Sequence, residues 1–163
     1  MRKYLLSLLL ILSIGSIASA QQSGNYAGGS TGYPHIIAAH YGFAELFGSD
    51  IDLRLSASFS LQNVSGMAAT GGTLTGDALF HFRSGGLSAP YAGGGLTLGI
   101  GSVAGGASGF MWDIHGLGGY QYQLNPDLSA FGELSVGFRS YHAGGHSLSG
   151  LGLGLRVGAN YYF

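Results

Sequence analysis

The 163-residue chain contains no cysteine, which excludes a disulfide framework, a thiol nucleophile and thiolate metal sites. Lysine is nearly absent, Lys3 being the single example. Lys plus Arg number 6 against 7 Asp plus Glu, a balance without the basic excess of an electrostatic nucleic-acid binder. Charged residues of either sign make up only 8% of the chain, against about 25% in ordinary soluble domains. Proline is scarce, with 3 residues, and the 32 glycines follow no Gly-X-Y period, so a collagen helix is excluded. No apolar run after the first twenty residues is long enough for a membrane-spanning helix. What remains is abundant hydrophobic residue content, 46%, which argues against a disordered chain.

The first segment has an address rather than a fold. Met1-Arg2-Lys3 is a basic start, Leu5 to Ile14 a short apolar core, and Ala18-Ser19-Ala20 a small-residue cleavage site. This is the pattern of a secretory signal peptide over residues 1–20. A single domain over residues 21–163 is then expected. Its basic residues are Arg54, Arg83, Arg139 and Arg156. So few charges would poorly cover a surface that met water on all sides.

The dominant pattern has period two. Asp52-Leu53-Arg54-Leu55-Ser56-Ala57-Ser58-Phe59-Ser60-Leu61 alternates without a break, as does Leu151 to Tyr161. Alternation places the two sets of side chains on opposite faces of a strand. Strands are expected near 36–47, 51–63, 73–83, 90–102, 111–124, 128–141 and 148–163, with an eighth, fainter one near 22–32. Gly32 to His35, with its proline, reads as the first tight connection. Gly48-Ser49-Asp50, Ser84-Gly85-Gly86 and Asn125-Pro126-Asp127 read as compact turns. The looser stretches Val64–Gly71, Val103–Gly109 and His142–Ser147 read as longer loops, so short and long connections should alternate.

Charge decides which face points inward. One face carries Asp52, Arg54, Asp77, His81, Arg83, Asp113, His115, Glu133, Arg139 and Arg156. The other carries Leu53, Leu55, Phe59, Leu74, Phe80, Leu96, Leu98, Trp112, Ile114, Leu134, Leu153, Leu155 and their like, without charge. Hydrocarbon selects such a face, because a charge there costs about 2–4 kcal/mol at the bilayer midplane. A barrel with its greasy side inward would instead show water mostly Ser, Thr and Gly. The expected fold is therefore all-β: an eight-stranded antiparallel up-and-down transmembrane β-barrel. Phe80, Phe82, Tyr120, Tyr122, Tyr161 and Phe163 should form an interfacial girdle at one end, with Trp112, Phe59 and Phe138 toward the other. Glu45 breaks the pattern of 36–47. Either a bulge near Gly42-Phe43-Ala44 shifts the register, or Glu45 already stands at the water interface, the preferred reading.

With its signal peptide, strand spacing and last strand Val157-Gly158-Ala159-Asn160-Tyr161-Tyr162-Phe163, the chain resembles small outer-membrane β-barrels of the OmpA–OmpX type. The terminal Phe163, preceded by Tyr161 at the alternate position, is similar to the signal read by the barrel-assembly machinery. The resemblance implies a location in the outer membrane, with outer-membrane lipid and that machinery as partners, and a monomer. No peptidoglycan-binding domain is expected after the barrel.

Function is less legible. Eight strands leave a lumen just wide enough for side chains to fill. The four arginines and the acids Asp52, Asp77, Asp113 and Glu133 are expected to pair inside it. Inward glycines such as Gly93, Gly95, Gly99, Gly101, Gly152, Gly154 and Gly158 would make room for them or leave a narrow water path. A structural role in envelope integrity or surface contact, without catalysis, metal or cofactor, is the leading expectation. The alternatives are a lipid A deacylase of the PagL type and a narrow channel for small polar solutes. For the deacylase, His146, Ser147 and Glu133 are the candidates, but Glu133 faces inward and adjacent His and Ser diverge on a strand. His142 and His146 at a glycine-rich loop tip lack the further ligands of a metal site. Gly99-Ile-Gly101-Ser-Val-Ala104 matches a dinucleotide fingerprint only by spacing, since no helix follows it.

Overall fold

The computed structural model describes residues 24–46, 50–64, 67–82, 87–103 and 108–163. Eight strands follow one another: β1 (Tyr26–Tyr33), β2 (His35–Phe43), β3 (Ile51–Val64), β4 (Met67–His81), β5 (Ser88–Val103), β6 (Ser108–Asn125), β7 (Leu128–Ala143) and β8 (His146–Tyr162). Each pairs antiparallel with the next, and β8 pairs with β1 to close the barrel. Closure removes the exposed sheet edges that an open array of such strands would leave. Among the described residues no helix is long and apolar enough to cross a membrane; strands are the elements available for crossing.

The pairing defines the barrel's stagger. From Gly158 the ladder runs through Ser30, Ala38, Ser58, Thr73, Gly99, Met111 and Tyr141, and it returns to β8 at Leu148. The displacement from 158 to 148 around eight strands goes with a strand tilt of roughly 40°.

Side chains alternate as expected. Arg54, Asp77, Asp113 and Glu133 are buried, whereas Leu55, Leu74, Leu98, Ile100, Ile114, Leu134, Leu153 and Val157 are exposed on the outer wall. Leu151 reaches 85% exposure and Leu134 65%, values that mark an apolar exterior rather than scattered surface residues. Phe80, Phe82, Tyr120, Tyr161 and Phe163 lie exposed toward the end where Gly24 and Phe163 meet. Trp112 and Phe138 pack at a tilt on the wall nearer the opposite end, with ring centroids 5.8 Å apart.

Three expectations need correction. First, the connections around the barrel differ from those expected, although the turn at Asn125-Pro126-Asp127 and the tight connection at Pro34 are as expected. Val64–Gly71 and His142–Ser147 are largely strand, the pair Gly144-Gly145 turning between β7 and β8, and in Val103–Gly109 the strands take in Val103, Ser108 and Gly109; residues 65–66 and 104–107 lie outside the described residues. Gly71 and Gly109 mark close strand approach instead of loops: a Cβ at Gly71 would lie 2.9 Å from Ile100 O, and one at Gly109 2.7 Å from His142 O. Gly144 and Gly145 have φ of 57° and 81°, the left-handed pair that a two-residue hairpin turn demands. The turn signals Gly48-Ser49 and Ser84-Gly85-Gly86 fall outside the described residues, within the longer connections 44–50 and 82–87.

Second, the first two strands shift. β1 is Tyr26–Tyr33, not 22–32, and β2 ends at Phe43, not 47. Glu45 stands exposed in the following turn with φ 51°, its backbone N–H donating to Asp52 Oδ1 at 3.1 Å. It is therefore off the lipid-facing wall. The irregularity in this hairpin sits instead between His35 and Ile37.

Third, the inner face is not uniformly polar. Leu79, Tyr91 and Leu117 form a buried cluster, and Tyr26, Phe131 and Tyr162 are also buried. A lumen this narrow is filled by side chains, and apolar ones fill it without needing partners.

Candidate functional site

The lumen is crossed by a connected set of ionised side chains. Its units are directly opposed residues on neighbouring strands: Arg54 opposite Asp77, Asp113 opposite Arg139, and Glu133 opposite Arg156. Period-two alternation sends both members of each pair inward, so local pairing alone brings opposite charges together.

Tertiary closure then joins the units. Arg54, 2% exposed, donates Nη2 and Nε to Asp77 Oδ2 at 2.7 and 3.1 Å. Across the lumen its Nη1 and Nη2 reach Glu133 Oε2 and Oε1 at 2.9 and 3.1 Å. Arg156 bonds Glu133 on its neighbouring strand and approaches Asp77 Oδ2 at 3.3 Å. Tyr91 donates its hydroxyl to Glu133 Oε2 at 2.9 Å. His115 bridges Asp77 Oδ1 and Asp113 Oδ1, each at 3.0 Å, and Arg139 Nε closes the chain on Asp113 Oδ2 at 2.9 Å. Buried charges are tolerated under these conditions, when each is paired and hydrogen-bonded.

Gly95 explains how His115 on β6 reaches Asp77 on β4. It lies between them in the ladder, opposite both. A Cβ there would overlap Asp77 Oδ1 and come within 3.1 Å of His115 Nε2. Its missing side chain is the gap through which the imidazole reaches.

Asp52 and His81 stand apart from this set, Nε2 lying 3.0 Å from Oδ2 nearer the terminal end. Arg83 lies outside the described residues. Tyr161 and Phe163 are exposed on the outer wall, while Tyr162 between them is buried. Sequence reading did not single out Tyr91, or the buried pair His40 Nε2 and Asn160 Oδ1 at 2.7 Å. Their inward positions in the alternation were the available signal.

The candidate deacylase residues do not assemble. Glu133 is engaged with Arg54, Arg156 and Tyr91 inside, while His146 and Ser147 are exposed at the β8 tip. A different Ser–His contact forms nearby: Ser140 Oγ is 3.0 Å from His142 Nε2 and accepts from Ser149 at 2.8 Å. Among the described residues no carboxylate bonds His142, and Ser140 is 3% exposed. The Ser–His contact lies within β7, the Ser149 bond ties β7 to β8, and the pair lacks the third group that would orient a catalytic base. Among the described residues no cluster of three or more His, Asp or Glu is arranged to hold a metal ion.

Comparison with solved structures places the fold among outer-membrane barrels. Neisserial surface protein A superposes with a TM-score of 0.59 at 17% identity, covering 86% of this chain and 98% of that one. The N-terminal β-barrel domain of Pseudomonas aeruginosa OprF gives 0.57 at 17%, over 85% and 95%. A major outer membrane protein from Thermus thermophilus gives 0.55 at 17%, over 86% and 100%. No protein-family profile and no curated protein sequence matches the chain. At this identity the likeness establishes the closed eight-stranded antiparallel fold.

Proposed function

We propose that the chain is an integral outer-membrane β-barrel with a structural role, in envelope integrity or surface contact, and with its lumen closed by the ionic plug. The observation that carries this reading is the segregation of side chains: charges buried within, large apolar side chains bare on the outside. Lipid is the surroundings in which both halves of that arrangement are favourable. The fold neighbours, by their names a surface protein, a β-barrel domain and a major outer membrane protein, support the same location. Residues 1–20 act in this reading as the export signal. Tyr161 and Phe163 are offered to the assembly machinery, and the folded chain works as a monomer.

The plug bears on conduction. Arg54 spans from β3 to Glu133 on β7, with Arg156 and Tyr91 on the same carboxylate. A continuous wide pore does not fit around that bridge. Fractionation with heat-dependent gel mobility tests the membrane reading. The protein should be found in the outer-membrane fraction and migrate faster unboiled than boiled. Recovery in the soluble fraction with no mobility change would overturn it. Planar bilayers test the plug: the wild-type chain should show no resolvable conductance steps.

A further inference from the structure

The barrel wall is not equally tall all round. Relative to the ladder that starts at Gly158, β3 runs on to Val64 and β4 begins at Met67, but β1 stops at Tyr33 and β2 starts at His35. At ~3.3 Å per residue and the tilt of this barrel, the β1–β2 turn at Pro34 lies roughly 15 Å below the tips of β3 and β8. The last partner of β8 on β1 is Tyr33, opposite Leu155. From His146 to Gly154, β8 therefore has, among the described residues, a strand neighbour on the β7 side only. The result is a side window between β8 and β3, above Pro34. Leu151 and Leu153 of the same stretch are exposed to the outside, so the window opens at the level of the apolar wall.

A bare strand edge at membrane depth has to be buried in protein or to line a cavity that water can fill, and this edge lines a cavity. Behind the window lies a cavity of about 680 Å³, lined by Ser149 to Leu153 of β8 together with Tyr33, Ser60, Thr73, Met111 and Arg139. Arg139 is the cation at this cavity. Its Nε is held by Asp113, and among the described residues its two Nη groups have no carboxylate partner. Gly150 stands directly opposite Arg139 in the ladder, and nothing lies within 4 Å of where its Cβ would be. At Gly152 a Cβ would come only to 3.6 Å from the guanidinium. The space beside the Nη groups is thus open. It joins a polar, cationic floor to a lateral exit into hydrocarbon.

We infer that this window binds a single-chain fatty-acid anion from the surrounding leaflet, its carboxylate on the Nη groups of Arg139 and its tail leaving between β8 and β3. The pairing follows from chemistry: guanidinium matches carboxylate geometry in a two-pronged way, and only a molecule with one charged and one apolar end satisfies both the floor and the exit. The inference rests on the membrane reading proposed above.

The test uses the full chain folded in a non-ionic maltoside, with oleate as the probe, displacing a fluorescent polyene fatty acid. Saturable one-to-one binding is expected. Arg139→Gln should weaken it at least about tenfold, the range of a lost charge-assisted pair. Gly150→Phe, which fills open space in the cavity, should abolish it. Oleyl alcohol should compete at least about tenfold less well than oleate for the same reason, and acetate not at all, which separates an amphiphile from a free carboxylate. Absence of saturable binding, or equal binding by the wild type and both variants, overturns the inference. So does equal competition by oleyl alcohol. The unboiled gel shift is recorded for every protein, so each variant is read only as a folded barrel. A wild-type chain that shifts but does not bind oleate refutes the window alone, whereas one that never shifts refutes the membrane reading itself.

Discussion

Arg54 and Glu133, separated by 79 positions in the chain, meet across the lumen through two hydrogen bonds at 2.9 and 3.1 Å. Neither is satisfied by its own strand alone. Arg54 also holds Asp77, and Glu133 also accepts from Arg156 and Tyr91. The bridge therefore fixes β3 and β4 against β7 and β8 through the middle of the barrel, where backbone pairing gives no direct link.

Removing one partner leaves the other's charge buried. Arg54→Ala should destabilise the barrel by about 3–5 kcal/mol, read from urea unfolding in lipid vesicles by tryptophan fluorescence. The double variant Arg54→Met with Glu133→Met should cost less than the sum of the two single changes. Additive costs would show that the two side chains do not interact.

The same bridge should govern leakage. In planar bilayers the wild type is expected to be silent, while Arg54→Ala combined with Glu133→Ala should produce discrete steps. A silent double variant that still shows the folded gel shift would mean that Leu79, Tyr91 and Leu117, packed together nearby, close the lumen without the ions.

The outer wall should discriminate by depth. Leu134→Arg replaces an exposed apolar side chain near the middle of β7 and should cost about 2–4 kcal/mol in a bilayer. Leu124→Arg, close to the terminal rim of β6, should cost about 0–1 kcal/mol by the same scale. Both are measured by reversible unfolding in vesicles. Equal costs at the two positions would contradict a hydrocarbon belt around the middle of the barrel.

Glycines of one composition should behave differently. Gly95→Ala drives a methyl into Asp77 Oδ1 and the Gly76 carbonyl, so the fraction migrating as folded barrel should fall sharply. Gly118→Ala meets nothing within 4 Å and should stay within about 0.5 kcal/mol of the wild type. Parallel refolding yields on unboiled gels check both.

The glycines also show where sequence reading ran out. Gly71 and Gly109 resemble loop residues when only neighbours in the chain are considered. A loop glycine and a glycine crowded by an adjacent strand have the same side chain, and only the partner strand distinguishes them. Likewise Tyr91 and Asn160 lie at inward positions of the alternation, but nothing local says that Tyr91 meets Glu133 or that Asn160 meets His40. The placement of Glu45 off the apolar wall, in an exposed turn, was legible because one charge in an apolar series, followed closely by turn residues, conflicts with lipid on local grounds alone.

Taken by itself, the sequence determined the strand-by-strand alternation and the sign of the barrel: apolar side chains outward, ionic ones inward. Both are properties of a few consecutive residues, since the period of two is built into extended backbone and a charge's distaste for hydrocarbon needs no partner. The tertiary structure alone decided which charges touch, how far β1 and β2 fall short of their neighbours, and where the wall opens. Those depend on the register at which eight strands close on themselves, a sum of pairings around the whole ring that no single strand contains.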